Sequence, residues 1–237
     1  FYKPILRTLM KIIAEIGVNH LGKPELLDGY IKNLKNIGVD GVSIQLLDKK
    51  KVNTKLKKFC LKKIDIKKFC LKAKKEFKYV GVGIHTWDNY LFLKKLKLDF
   101  IKILGSSLGN LKYYQKIKKT NVEKIFLSTL GKSTKEILSF LEKIDKKRVS
   151  LIFTFLETNN YINEIKKIDI YKKKFNLNIA YGNHYNKIYQ IPKVAKHNPS
   201  EIFFYVKMNK KINYPDNNHA VPLNQVKDLI KKIKKNG

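Results

Sequence analysis

Eight short apolar runs punctuate the chain, at residues 12–17, 41–46, 79–84, 100–104, 124–128, 149–155, 177–181 and 202–206. Each is rich in Ile, Val and Phe with little polar alternation, the pattern of parallel strands buried on both faces. Between them lie longer Lys-rich segments whose apolar residues recur at helical spacing. Leu26, Leu27, Tyr30, Ile31 and Leu34 make one such stripe, and Ile137, Leu138, Leu141 and Ile144 another. A final amphipathic segment over 226–233 predicts a closing helix. Eight strand–helix alternations predict an α/β fold, a (β/α)8 TIM barrel. A doubly wound open sheet, the rival, usually has fewer strands. No Pro-, Gly- or Ser-rich linker divides the chain, so a single domain over 1–237 is expected, with its core at about 10–236. Residues 47–64 carry little periodicity and predict a long loop at the active-site end.

The length of 237 residues suits one barrel, and 43% hydrophobic residues are enough for a full core. No run approaches the roughly 18 apolar residues of a membrane helix. Two cysteines, Cys60 and Cys70, make no disulfide framework, and the expected compartment is a reducing cytoplasm. The charge changes the picture more. Lys and Arg total 51 against 19 acidic residues, a formal +32, yet only Arg7 and Arg148 are arginine. Sequence-specific nucleic-acid readers favour Arg for bidentate contacts, so specific nucleic-acid binding is not expected. The lysines are scattered in pairs and triplets. They read as solvated helix faces, with a field that attracts anions as the functional alternative.

Barrel enzymes build their sites at the C-terminal ends of the strands. Polar residues collect there: Asn19 and His20; Gln45; His85, Thr86 and Asp88; Lys102, Ser106 and Ser107; Ser128; Thr154 and Glu157; His184; Lys207, then Asp216 and His219. Four of the five histidines fall at these ends, which makes a shared polar pocket more economical than eight unrelated loop residues. Glu15 is the sharpest item, because a carboxylate inside an apolar strand must be paired or hydrogen-bonded. It is either half of an internal ion pair, with Lys102 as partner, or a substrate-facing acid, base or hydroxyl acceptor.

At residues 13–27, IAEIGVNHLGKPELL, the chain resembles the sialic acid synthase (N-acetylneuraminate synthase) family, whose first strand reads Ala-Glu-Ile-Gly-x-Asn-His-x-Gly; Ala14, Glu15, Ile16, Gly17, Asn19, His20 and Gly22 match. Further echoes follow in the family's order: Gln45 closing VSIQ, Trp87-Asp88, DFIKI around Lys102, IFLST with Ser128, YGNHYN with His184, and YPD with Asp216. The resemblance implies condensation of phosphoenolpyruvate with an N-acylated amino sugar such as N-acetylmannosamine. The product would be a 2-keto-3-deoxy nonulosonic acid, formed with altered or reduced activity. By the same resemblance, Glu15, Lys102 and His184 are the catalytic residues. Asn19, His20, Gln45, Asp88, Ser106, Ser128 and Asp216 bind substrate, a divalent metal (Mn or Mg) is the cofactor, and a homodimer is the assembly. Glu15, Asn19, His20, Gln45, Lys102, Ser128 and His184 should line one pocket.

The chain departs from the family pattern at Ser43, where the family has a lysine, and at Phe203 and Tyr205, where it has Glu-x-His. Tyr205 thus takes the place of the second metal histidine and leaves His184 without its usual partner, for which His85, Asp216 and His219 are the candidates. Tight Mn2+ binding is not expected on that count, and the pocket is expected to hold water or an anion near Lys102. No C-terminal antifreeze-like domain is expected. A catalytically degenerate barrel that binds a sugar or anion, and a basic polyanion-binding protein, are the alternative functions.

Overall fold

The computed structural model describes residues 10–84, 90–156, 158–208 and 212–237. Eight parallel strands close into a barrel: β1 (Lys11–Gly17), β2 (Gly41–Leu46), β3 (Tyr79–Ile84), β4 (Phe100–Ile103), β5 (Lys124–Ser128), β6 (Val149–Phe153), β7 (Ile179–Asn183) and β8 (Glu201–Lys207). Each pairs with its successor, and β1 pairs with β8 from Lys11↔Glu201 to Glu15↔Tyr205, which closes the ring. A two-residue strand, β9 (Val221–Pro222), extends from β8. This is the (β/α)8 barrel that the eight apolar runs predict.

The outer layer consists of α1 (Pro24–Leu34), the single turn α2 (Thr54–Lys57), α3 (Lys63–Glu76), α4 (Tyr90–Lys94), α5 (Leu111–Lys118), α6 (Thr134–Leu141), α7 (Tyr161–Phe175) and α8 (Leu223–Asn236). The α1 stripe is buried at Leu27, Tyr30, Ile31 and Leu34. Helix starts are set locally. Asn53 and Asn110 cap α2 and α5, and Ser133 with Glu136 forms a reciprocal capping box on α6. The sequence 47–64, expected as one long loop, is interrupted by α2 because Asn53 accepts from the Leu56 amide. The seventh crossover is a 3-10 helix, Ile188–His197, and not an α-helix; Pro192 within it has no amide to donate. Its end is held by Lys172, whose Nζ donates to the His197 and Asn198 carbonyls at 2.5 and 2.7 Å. The strand expected at 177–181 begins two residues later, because Asn176 ends α7 in a left-handed conformation (φ 49°).

Strand alternation divides the side chains between an outer core against the helices and a barrel interior. At mid-height the interior is plugged by Phe100, Phe126 and Phe203, packed edge to face with centroids 5.1–5.7 Å apart, together with Ile13, Ile152 and Ala180. Gly81 makes room for this plug, since a Cβ there would lie 2.2 Å from the Phe100 ring. Below the plug Lys124 meets Glu201 at 2.7 Å, and above it Glu15 meets Lys102. The aromatic plug therefore separates a lower ion pair from an upper one, and the upper one stands on the floor of the active-site end.

Candidate functional site

Glu15 on β1 and Lys102 on β4 come from opposite arcs of the barrel and form an ion pair with side chains only 2% and 5% exposed. The Lys102 ammonium also sits over the rings of Phe203 and Tyr205, at 5.7 and 5.6 Å from their centroids. Three aromatic or carboxylate neighbours thus compensate a cation removed from water. Beside Glu15 in register lies Ser43, whose buried hydroxyl has no hydrogen-bond partner among the described residues. A lysine at this position would have made the floor more cationic.

Tyr205, at the top of β8, packs edge-on against two imidazoles, His184 from the end of β7 (5.2 Å) and His219 from the loop after β8 (4.8 Å). The two rings stack on each other, with centroids 4.8 Å apart and planes at 28°. Burial, with His219 and Lys102 nearby, pushes the His184 pKa down to about 3; burial, with Lys102 and Lys207, pushes His219 down to about 4. Both rings are neutral at physiological pH. Burial also holds the Tyr205 phenol well above its usual range, reinforced by the Glu15 and Asp216 charges. Asp216 lies 3.8 Å from His219 Nε2 through Oδ1. Its pKa is raised to about 7 by burial and the Glu15 charge, against the Val18 amide and Lys102.

The loop after β1 plays a different part. Asn19 is fully buried and its side-chain amide is occupied: Nδ2 donates to the Val206 carbonyl at 2.9 Å, and Oδ1 accepts from the Asp216 amide at 3.1 Å. It clips the start of the barrel to β8 and fixes the Asp216 loop. His20 is fully buried and accepts from the Gly22 amide through Nδ1 at 3.0 Å. Burial lowers its pKa to about 4, with the Gln45 backbone opposing. Asn19 thus holds the Asp216 loop against β8, and His20 is buried beside it in sequence, at the Gly22 turn. Gly17 allows this closeness: its φ is 57°, and a Cβ would meet Tyr205 at 2.6 Å and Asp216 Oδ2 at 2.9 Å.

Of the remaining residues singled out in the sequence, Ser128 is buried on the interior side of β5, Gln45 is half-buried at the end of β2, and Ser106 is exposed in the 3-10 turn Gly105–Ser107 after β4. His85, Thr86, Trp87, Asp88 and Glu157 lie outside the described residues. The structure thus brings Glu15, Lys102, His184, Tyr205, Asp216 and His219 into one cluster. His219 was legible in the sequence as a candidate second metal ligand beside His85 and Asp216, and its stacking on His184 is a product of the loop path.

The donors fit a divalent ion in chemistry: two neutral imidazoles and a carboxylate, with His219 Nε2 and Asp216 Oδ2 both buried and without hydrogen-bond partners among the described residues. They are not preassembled, since among the described residues no group of three or more His, Cys, Asp and Glu side chains is arranged to hold a metal. No helix among the described residues is long and apolar enough to cross a membrane.

No family model matches the chain. The N,N'-diacetyllegionaminic acid synthase of Campylobacter jejuni is 28% identical over 255 aligned positions, covering 94% of this chain and 75% of that protein. Among solved structures, an N-acetylneuraminic acid (sialic acid) synthetase from Leptospira borgpetersenii, in complex with citrate, superposes with a TM-score of 0.87 at 16% identity, covering all of this chain and 88% of the other. A spore coat polysaccharide biosynthesis protein of Bacillus subtilis gives 0.83 at 15% identity, over 96% and 68%. At these identities the structural matches speak for the fold. The sequence match over nearly the whole chain speaks for descent, and so does the motif at residues 13–27, whose Glu15, Gly17 and Asn19 shape the cluster. The chain is thus similar in sequence, over nearly its whole length, to an N,N'-diacetyllegionaminic acid synthase, and similar in fold to an N-acetylneuraminic acid synthetase.

Proposed function

We propose that the chain is an enzyme that condenses phosphoenolpyruvate with the open-chain aldehyde of an N-acylated amino sugar, giving a 2-keto-3-deoxy sugar acid and phosphate. The observation that carries this reading is the buried Glu15–Lys102 pair beside His184 at the C-terminal end of a barrel whose first strand bears the family motif. The relative that is 28% identical is a synthase of a diacetylated nine-carbon acid, which favours an N-acylated amino sugar as co-substrate.

In this reaction the enol carbon of phosphoenolpyruvate bonds to the aldehyde carbon as the C=C and C=O π bonds open, and the aldehyde oxygen takes up a proton that balances the one released by the adding water. Water adds at the enol-ether carbon, and the C–O bond to phosphate is replaced as phosphate leaves. Lys102 supplies the cation for the phosphate or carboxylate end, released toward substrate from its contact with Glu15. The hydroxyl of Ser128 is a neutral donor on the same interior surface. Glu15 then accepts a proton from the adding water or a sugar hydroxyl. Tyr205, protonated at all working pH values, donates a hydrogen bond and walls off solvent. A divalent ion, held at His184, would polarise the aldehyde oxygen as a Lewis acid.

The test is phosphate release from phosphoenolpyruvate in the presence of Mn2+ and a panel of N-acylated hexosamines. Sugar-dependent release that Glu15→Gln and Lys102→Met abolish is expected. Anion binding with no release for any sugar would replace this reading with that of a non-catalytic binding barrel. The Ser43 hydroxyl, without a hydrogen-bond partner among the described residues and standing where the family pattern has a lysine, gives that second reading its one specific support.

A further inference from the structure

We infer that the N-terminal mouth of the barrel, the end opposite the Glu15–Lys102 floor, holds a second binding site, and that its ligand is a small α-amino acid with an apolar side chain. Lys11, Tyr79, Lys124 and Glu201 open β1, β3, β5 and β8. They ring a cavity of about 160 Å3 whose inner end is the underside of the phenylalanine plug, at Phe100 and Phe126. A cavity of roughly 150 Å3 lined by apolar groups holds one benzene ring. The space therefore takes a branched or aromatic side chain of about the size of leucine or phenylalanine. The plug stands between this cavity and Lys102, and no residue lining it belongs to the cluster around His184.

The charges around the cavity select the rest of the ligand. Its ionisable residues are Lys11, Asp99, Glu123, Lys124 and Glu201. Glu201 is satisfied within the wall, since its carboxylate accepts from Lys124 Nζ at 2.7 Å and from the Ser200 hydroxyl at 2.6 Å. Asp99 is satisfied too, by an ion pair with Lys74 and by the Val80 amide at 2.6 Å. Two opposite charges remain. Lys11 is half-buried and makes no ion pair among the described residues; its ammonium sits over the Tyr79 ring, 4.0 Å from the centroid. Glu123 is exposed at the rim and likewise has no ion-pair partner among the described residues. One ammonium and one carboxylate beside an aromatic floor complement a zwitterion with an apolar body. The ligand carboxylate meets Lys11, its ammonium meets Glu123, and its side chain enters against Phe100 and Phe126. An apolar carboxylate without the ammonium would leave Glu123 uncompensated, and an apolar amine would leave Lys11 so.

Calorimetry of the full chain with L-phenylalanine, L-leucine, 3-phenylpropanoate, phenethylamine and glycine tests the assignment. One equivalent of phenylalanine or leucine is expected to bind. 3-Phenylpropanoate and phenethylamine, each lacking one of the two charges, should bind roughly fivefold more weakly, the upper end for a partly exposed ion pair. Glycine, which has no apolar body, should give no measurable heat. Lys11→Gln and Glu123→Gln should each weaken phenylalanine binding by a similar factor. Glu123→Lys should reverse the preference, so that 3-phenylpropanoate binds more tightly than phenylalanine; a gain for one ligand at the expense of another also shows that the variant is folded. Absence of binding to the parent at millimolar amino acid would overturn the assignment. So would phenylalanine binding that the rim variants leave unchanged, because the amino acid would then sit elsewhere on the chain. Neither result bears on the condensation proposed for the opposite end of the barrel.

Discussion

Removing one partner of the Glu15–Lys102 pair should be among the most damaging changes this barrel can suffer, and removing both should be far milder. The two side chains are 2% and 5% exposed, so neither charge regains water when the other is deleted. Loss of one partner from such a pair costs about 3–5 kcal/mol, a large part of the 5–15 kcal/mol by which domains are stable. Replacement of both by apolar residues of similar volume is often close to neutral. Lys102→Met leaves Glu15 in register between Tyr205 and the Ser43 hydroxyl, which has no hydrogen-bond partner among the described residues; Glu15→Met leaves an ammonium above the phenylalanine plug. With a urea m-value of about 3 kcal/mol/M, each single variant should lower the unfolding midpoint by roughly 1–1.7 M. The double variant should regain most of that loss, a strong non-additivity in the thermodynamic cycle. Single variants that each lose less than about 1 kcal/mol would refute the reasoning, for that is the behaviour of a screened surface pair. So would a double variant whose loss equals the sum of the singles. The same chains assayed for phosphate binding separate the pair's two roles, because the double variant should fold well and still bind no anion at the barrel mouth.

Other regions give independent tests. Arg148 clamps the α5–β5 connection by donating to the carbonyls of Lys118, Thr120 and Val122 at 2.5, 3.0 and 2.7 Å; Arg148→Met should cost about 2–4 kcal/mol in urea unfolding, with no change in metal or anion binding. Ser133→Ala dismantles the α6 capping box and should cost about 1 kcal/mol. His20 is buried with its pKa lowered from 6.5 to about 4, so the unfolded chain takes up this proton first. Its contribution is fully present above pH 6.5 and is lost as the pH falls toward 4, by on the order of 3 kcal/mol. Unfolding midpoints measured between pH 7 and 4 should fall accordingly, and the fall should be smaller in His20→Asn.

The barrel itself was legible along the chain for a physical reason. Parallel strands covered on both faces must be apolar throughout, so β1 to β8 stand out as unbroken Ile, Val and Phe runs against Lys-rich helices. Glu15 was legible by the same contrast, as the one carboxylate inside such a run, since Glu201 stands only at the first position of β8. Two elements escaped this logic. The seventh crossover has a helical stripe, but Pro192 and the Lys172 clamp make it a 3-10 helix. The start of β7 was displaced by Asn176, whose left-handed cap is a backbone choice that hydrophobicity does not encode.

Local sequence, then, determined the strand count, the ring order and the sites where polar residues meet the strand ends. Tertiary structure alone decided which of those residues face one another. Lys102 reaches Glu15 because closure brings β4 opposite β1, across 87 residues of chain. Asn19 looks in sequence like a substrate ligand, yet both ends of its amide are taken by Val206 and Asp216, nearly 200 residues away. His219 reads in sequence as one of three candidate partners for His184, and only the turn after β8 lays it on that ring. Each of these contacts depends on distances between distant segments, and such distances are fixed only when the ring closes and its interior is filled.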